Sequence, residues 1–264
     1  MSNAMSVRRP LALVGVSVAL AIAIVGSVIA SQSPSVTPSH NWTGYVTHDH
    51  RGIIAASGSW TVPETGCDST RPVGVWVGLG GSSITPTKDA KLIEQAGVIL
   101  QCHGPAIEAV AFTESFPARP KPVTNMKIHS GDQIAVLIVQ EEHSTETIVT
   151  DTTTGASVKS TAPTPSARFT SAECIVEATP AESGHHLDHV VVTFSLCNAQ
   201  RVGGALSSIG DLGRRCSTVV VRHDGIHGAV TSLRCTGGFQ VAIYRGAHAP
   251  RFPVVPLAQP SSMH

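Results

Sequence analysis

From residue 41 onward the chain alternates short apolar runs rich in Val, Thr and Ile with breaks of Gly, Pro, Ser, Asp or Asn. This pattern predicts strands. The runs fall at 41–47, 53–62, 73–79, 91–98, 106–116, 122–128, 133–141, 145–150, 156–161, 169–177, 189–196, 217–223, 228–234 and 239–244. Several alternate apolar with polar, as in Thr218-Val219-Val220-Val221-Arg222, the period of a strand with one buried face. Between two runs, the cluster from His223 to Gly228 contains Asp224-Gly225, a hairpin dipeptide. After residue 40 no segment sustains a helical period over three turns. With about fourteen strands and no long Pro/Gly linker between them, the expected fold class is all-β. The architecture expected is a lectin-like antiparallel sandwich of two sheets, about seven strands each. One domain is expected over 41–246, followed by a loose Pro-rich tail at 247–264.

Residues 1–30 break the pattern. Arg8 and Arg9 precede an apolar run from Leu11 to Ala30 that ends in Val28-Ile29-Ala30. This order of charge, apolar run and small residues is that of an export signal, and the run is long enough to serve as an uncleaved N-terminal anchor. Met1–Ala4 read as a cloning remnant ahead of a natural start at Met5. Ser31–His40, rich in Ser and Pro, is expected to be a short linker. The expected location is secreted or extracytoplasmic, with membrane contact only through such an anchor.

Cysteine usage agrees with export. Cys67, Cys102, Cys174, Cys197, Cys216 and Cys235 all follow the leader, and an even set in an oxidising compartment predicts disulfides. Six cysteines allow fifteen connectivities. Joining neighbours closes the shortest loops and gives Cys67–Cys102, Cys174–Cys197 and Cys216–Cys235. No C-x-x-C pair occurs, so zinc and thioredoxin-type chemistry are not expected. Lys+Arg and Asp+Glu balance at 18 each, which removes the electrostatic case for nucleic acid. The 13 histidines would charge as the medium becomes acidic. His185, His186 and His189 cluster near a turn, a pattern far commoner on solvated surfaces than in metal sites. No metal and no cofactor are expected.

Two polar intrusions into apolar runs are candidates for chemistry. Glu173-Cys174-Ile175-Val176-Glu177 carries carboxylates at i and i+4, which share one face of a strand. Read by pattern alone, they are two acids on a solvated face. Gln95 interrupts Leu92-Ile93-Glu94-Gln95-Ala96-Gly97, and such an amide is usually a hydrogen-bonded core group.

Longer motifs change that balance. Asn41-Trp42-Thr43-Gly44-Tyr45-Val46 is followed by Gly58-Ser59-Trp60-Thr61-Val62-Pro63 and Trp76-Val77-Gly78-Leu79-Gly80-Gly81. Then come Leu92–Gly97, Glu114-Ser115-Phe116-Pro117, Gly131-Asp132-Gln133-Ile134 and Ala172–Glu177. In this order and spacing the chain resembles the eqolisins, the glutamic endopeptidases, over residues 41–197, as a bacterial-type member. The resemblance implies a sandwich of two seven-stranded sheets and hydrolysis of peptide bonds without metal or cofactor. It implies Gln95 and Glu177 as the catalytic pair, with Trp76, Phe112, Glu114 and Glu173 binding substrate or supporting the pair. A carboxylate of raised pKa can deprotonate water and later protonate the leaving amine, while a neutral amide donates to the oxyanion. Such a pair is expected to work in acid, on a polypeptide substrate, in a monomer.

The motifs also depart from the family pattern. Gly80 and Val110 stand where that pattern has acids, Phe112 stands for an indole, and Cys174 for a Trp. Ser31–His40 leaves no room for the long propeptide of fungal relatives, so restraint by pH is expected instead. Two further readings stay open: a catalytically silent relative that binds peptides or a surface partner, and a glycan-binding sandwich. With aromatics at only 4% of residues, aromatic sugar platforms are few.

Overall fold

The computed structural model describes residues 35–64, 72–82, 92–103, 106–164, 168–178, 189–212, 216–223, 226–231 and 237–245. The leader at 1–30 and the tail at 247–264 lie outside these residues. The strands in chain order are β1 (Ser35–Ser39), β2 (Trp42–His48), β3 (Ile53–Thr61), β4 (Val73–Gly80), β5 (Ile93–His103), β6 (Ala106–Phe116), β7 (Lys121–Ile128) and β8 (Gln133–Gln140). They continue with β9 (Ser144–Asp151), β10 (Ser157–Pro163), β11 (Ser171–Ala178), β12 (His189–Arg201), β13 (Leu206–Ser208), β14 (Cys216–His223), β15 (Ile226–Val230) and β16 (Phe239–Arg245). No helix occurs among the described residues.

The architecture is the expected sandwich of two large, mainly antiparallel sheets. One sheet runs β1-β14-β2-β11-β4-β5-β6-β7; the other runs β10-β9-β8-β3-β12-β16-β15, with β13 added beside β12. The β14–β15 hairpin joins them, and His223 pairs with Ile226 across the Asp224-Gly225 dipeptide. Strand β15 therefore starts two residues earlier than the pattern suggested. Two strands went unread. β1 lies in the stretch expected to be a linker and pairs with β14 in parallel register, whereas β13 is only three residues long.

Alternation explains most strands. In β9 every second residue is buried, in the order Thr145, Thr147, Val149 and Asp151. Strand β4 differs, because all eight of its residues are buried. One of its faces meets the interior and the other is covered by side chains of its own sheet. Between the sheets, Trp60, Phe194, Phe239 and Tyr45 form an aromatic chain with successive ring centroids 5.6, 4.8 and 4.8 Å apart. Burying such rings supplies much of the folding free energy at roughly 25 cal/mol per Å² of apolar surface.

Cys174 on β11 and Cys197 on β12 form a disulfide that ties one sheet to the other, with Cα atoms 6.3 Å apart. This is one of the three expected pairings. Closing a loop of this length stabilises the fold by roughly 3 kcal/mol in the chain-entropy account. The side chains of Cys67, Cys102, Cys216 and Cys235 lie outside the described residues.

Candidate active site

The cleft lies on the outward face of the sheet that contains β11, β4, β5 and β6. Register places the site residues there. Glu177 is opposite Gly74 and Trp42, Ile175 opposite Trp76, and Glu173 opposite Gly78 and Val46. On the next strands, Gly78 pairs with Gln95, and Gln95 with Glu114. Residues far apart in sequence thus share one face because strand side chains repeat every two residues.

A cavity of about 410 Å³ opens on this face, and Asn41, Trp42, Trp76, Gln95, Glu114 and Glu177 line its polar part. Ile93, Ile99, Phe112, Phe116 and Pro120 give it an apolar wall. Gln95, Glu177, Trp76, Phe112 and Glu114 therefore line one cavity. Glu173 shares the face but is sealed beneath it, with only 1% of its surface exposed. The reading of the two as solvated acids is overturned for Glu173, which neighbouring strands cover, while Glu177 is part-buried in the cleft wall.

Three glycines seat the indole at the centre. A Cβ at Gly74 would stand 3.3 Å from Trp76 Cδ1, one at Gly78 2.8 Å from its Cζ3, and one at Gly97 2.8 Å from its Cβ. Without these side chains the ring lies along the strand, and its Nε1–H donates to Glu177 Oε2 at 2.9 Å. Trp42 packs edge-on against it, with centroids 5.0 Å apart. Asn41 Nδ2 donates to the other Glu177 oxygen. The contribution of Asn41 and Trp42 to the site was not singled out from sequence; the only signal was the Asn-Trp dipeptide opening the first motif.

Gln95 Nε2 donates to Glu114 Oε2 at 2.6 Å. A carboxylate only accepts, so this bond turns the amide NH₂ toward Glu114 and leaves a second N–H to give. Gln95 Oε1 is buried without a partner. Gln95 is thus no ordinary satisfied core amide.

Proton affinities are displaced upward for the cleft acids Glu177 and Glu114, and also for Glu94 and Glu173, which do not line the cleft. Burial, more than any other effect, pushes Glu177 to about 7. The Glu114 carboxylate adds to the rise, while donors on Trp76, Trp42 and Asn41 oppose it. Burial also raises Glu114 against the opposing bond from Gln95, and Glu94 against the Ser115 hydroxyl, which donates at 2.7 Å. Glu173 is raised well above its ordinary value by burial, and the Ser171 hydroxyl offsets only part of this. Neither Glu173 oxygen has a hydrogen bond of acceptable geometry.

These shifts predict how stability follows pH. An acid with a raised folded-state pKa stabilises the fold fully below its unfolded value, here 4.5, and loses that contribution as pH rises toward the folded value. For Glu177 the loss between 4.5 and about 7 is on the order of 3 kcal/mol. Asp49 and Asp151 oppose this at the acid end. Burial pushes both up, but hydrogen bonds from Arg51, with the charges of Arg51 and Arg201, outweigh it for Asp49, and hydrogen bonds from Thr153 and Thr154 outweigh it for Asp151. Both end below 3.8, so their contribution is lost as pH falls beneath that value. Thermal melting should therefore peak near pH 4 and fall on both sides. A melting temperature that rises steadily from pH 4 to 7.5 would contradict the burial of these acids.

Gly80 explains one departure from the motif. Its φ is +88°, and a Cβ there would stand 2.3 Å from the Leu92 carbonyl oxygen and 2.7 Å from Phe169 Cδ1. An acid could occupy this position only with a different backbone. The His185-His186 turn lies outside the described residues, and among the described residues no three His, Cys, Asp or Glu side chains form a group able to hold a metal.

The fold and cleft define a class: a β-sandwich whose sheet face holds a proton-retaining carboxyl beside an oriented amide donor. Residues 40–242 match the model of the peptidase A4 family. The chain belongs to this family, the eqolisins, and is by membership a glutamic endopeptidase. Among solved structures it is similar to scytalido-glutamic peptidase with a transition state analog inhibitor, at 20% identity and a TM-score of 0.59, over 79% of this chain and 99% of that one. It is also similar to SCP-B, an eqolisin in complex with the tripeptide Ala-Ile-His, at 19% identity and TM-score 0.54, with the same coverage. Aspergilloglutamic peptidase from Aspergillus niger aligns at 21% identity and TM-score 0.52, over 67% of this chain and 99% of that one. At these identities the three likenesses concern the fold. A search of curated proteins found no match.

Proposed function

We propose that this chain is an exported, acid-active endopeptidase in which Glu177 activates water and Gln95 stabilises the oxyanion. The observation that carries the reading is the shared cavity, where a carboxyl of pKa about 7 and an amide oriented by Glu114 line one wall.

Ionised Glu177 takes a proton from water as the water oxygen bonds to the scissile carbonyl carbon. The carbonyl oxygen gains the negative charge and accepts from the free N–H of Gln95. Glu177, now protonated, gives its proton to the amide nitrogen, the C–N bond breaks, and acid and amine products leave. Trp76 and Asn41 hold the two carboxyl oxygens throughout, while the apolar wall of Ile99, Phe112 and Phe116 receives side chains flanking the bond.

The proton affinity of Glu177 shapes the pH profile. Below about 7 a falling fraction of Glu177 is ionised, and the rate falls with that fraction. Protonation of Glu114 removes a neighbouring charge and lets Glu177 keep ionising further into acid. Activity accordingly extends into weak acid, declining gradually as Glu177 takes up its proton.

Gln95→Ala tests the amide. It should lower kcat on a denatured protein substrate by on the order of 10²–10³, with little change in melting temperature, because it also removes a buried unpaired oxygen. Undiminished kcat in Gln95→Ala would remove the amide from the mechanism. Absence of proteolysis by the wild type from pH 2 to 7 would favour the silent relative, with Val110 the first position at which to install an acid, since the backbone at Gly80 excludes one.

A further inference from the structure

Glu173 has no part in the mechanism above, yet it is among the least ordinary groups in the molecule. It is fully buried, and neither carboxyl oxygen has a hydrogen bond of acceptable geometry, the Ser171 hydroxyl being the polar group beside it. The strands packed around it bring no positive partner: β2, β4, β5, β6 and β11 carry no Lys or Arg. Among the described residues, the titratable groups on that face include His48 at the end of β2, which bonds Ser82, Glu177 on β11 itself, Glu114 two strands beyond β4, and Glu108 further along β6, which accepts from Gln101.

The position of Glu173 relative to Trp76 is the informative feature. A Cβ placed at Gly78 would stand 2.8 Å from Trp76 Cζ3 and 3.3 Å from Glu173 Oε2. The six-membered edge of the indole therefore ends beside the Glu173 carboxyl, and its Nε1–H, at the other end, reaches Glu177. One ring spans two carboxyls of the same strand, one in the cleft and one sealed beneath it.

An unpaired carboxylate in such a place is costly, whereas a neutral acid is tolerable. Strands β2 and β4 flank Glu173 on β11, and the Trp76 indole lies beside its carboxyl. We propose that Glu173 is a positioning residue whose neutral carboxyl supports the Trp76 indole and keeps its Nε1–H on Glu177, so that deprotonating Glu173 releases Trp76 and closes down the cleft as pH rises. The fold thereby carries its own upper pH limit, separate from the ionisation of Glu177. The proposal rests on the peptidase reading for its activity readout alone.

The test follows the Trp76 indole N–H by nitrogen-15 NMR from pH 4 to 9, assigned with Trp76→Phe, in the wild type, Glu173→Gln and Glu177→Gln. A titration step that Glu173→Gln removes and Glu177→Gln retains is expected. In parallel, the alkaline limb of kcat/KM should be lost in Glu173→Gln, leaving about tenfold more activity than wild type about one pH unit above the wild-type midpoint. A merely structural Glu173 would lower stability and leave both the limb and the indole titration where they were; that result overturns the proposal. If Glu173→Gln does not fold, carbon-13 carboxyl titration of the wild type decides, because a Glu173 carboxyl titrating near 4.5 contradicts it. If the wild type proves inactive, the peptidase reading fails while the NMR titrations still decide this one.

Discussion

Glu177→Gln is expected to lower kcat by on the order of 10²–10⁴, the largest effect of any single change in the cleft. Size is kept and the base is lost. The amide can still accept from Trp76 or from Asn41, but not from both, because only one of its two terminal atoms accepts. Stability should not fall with activity. The substitution removes a carboxyl that burial disfavours in its charged form, so melting near pH 7 should be equal to or above wild type, and its decline between pH 4.5 and 7 shallower. Activity and melting measured together separate loss of the base from loss of the fold. Acid proteolysis that continued at the wild-type rate in Glu177→Gln would sink the assignment of the base.

Gly97→Ala should have the largest effect on stability. A Cβ there would stand 1.9 Å from the Val75 carbonyl oxygen and 2.7 Å from Trp76 Cα. These are backbone atoms of the paired strand, so no side chain can yield. Relief requires β4 and β5 to separate where Trp76 faces Gly97. A loss on the order of 3 kcal/mol is expected, together with the activity, since Trp76 and Gln95 ride on those two strands. Gly204→Ala is the control: its nearest neighbour would be 3.6 Å away, and its effect should stay within about 0.5 kcal/mol. Equal urea midpoints for the two variants would show that the strands accommodate the methyl group.

Much of the cleft follows from parity and motif. Glu173, Ile175 and Glu177 must share a face once β11 is a strand, and the motifs place Gln95 and Glu114 on strands of their own. Parity does not say which face is covered. For β11 that answer came from Trp42, Trp76 and the glycines at 74, 78 and 97, which belong to strands as many as 135 residues away in sequence. Two acids read as solvated therefore became one cleft carboxyl and one sealed acid. Strand β1 is a similar case: nothing in Ser35-Val36-Thr37-Pro38-Ser39 announces a strand, and its conformation follows from pairing with β14, whose first residue is Cys216.

Local alternation and turn chemistry thus determined the all-β class, most strand positions and the face shared by Glu173 and Glu177. Those depend on residues within a few positions of one another, where the two-residue period and turn propensity act directly. The tertiary structure alone decided that the expected Cys174–Cys197 link runs from one sheet to the other, that Asn41 lies beside Glu177, and that Glu173 is buried. Each of these depends on which distant strands become neighbours, and so does the proton affinity of Glu177, because desolvation is set by everything packed around a group and not by the residues beside it in the chain.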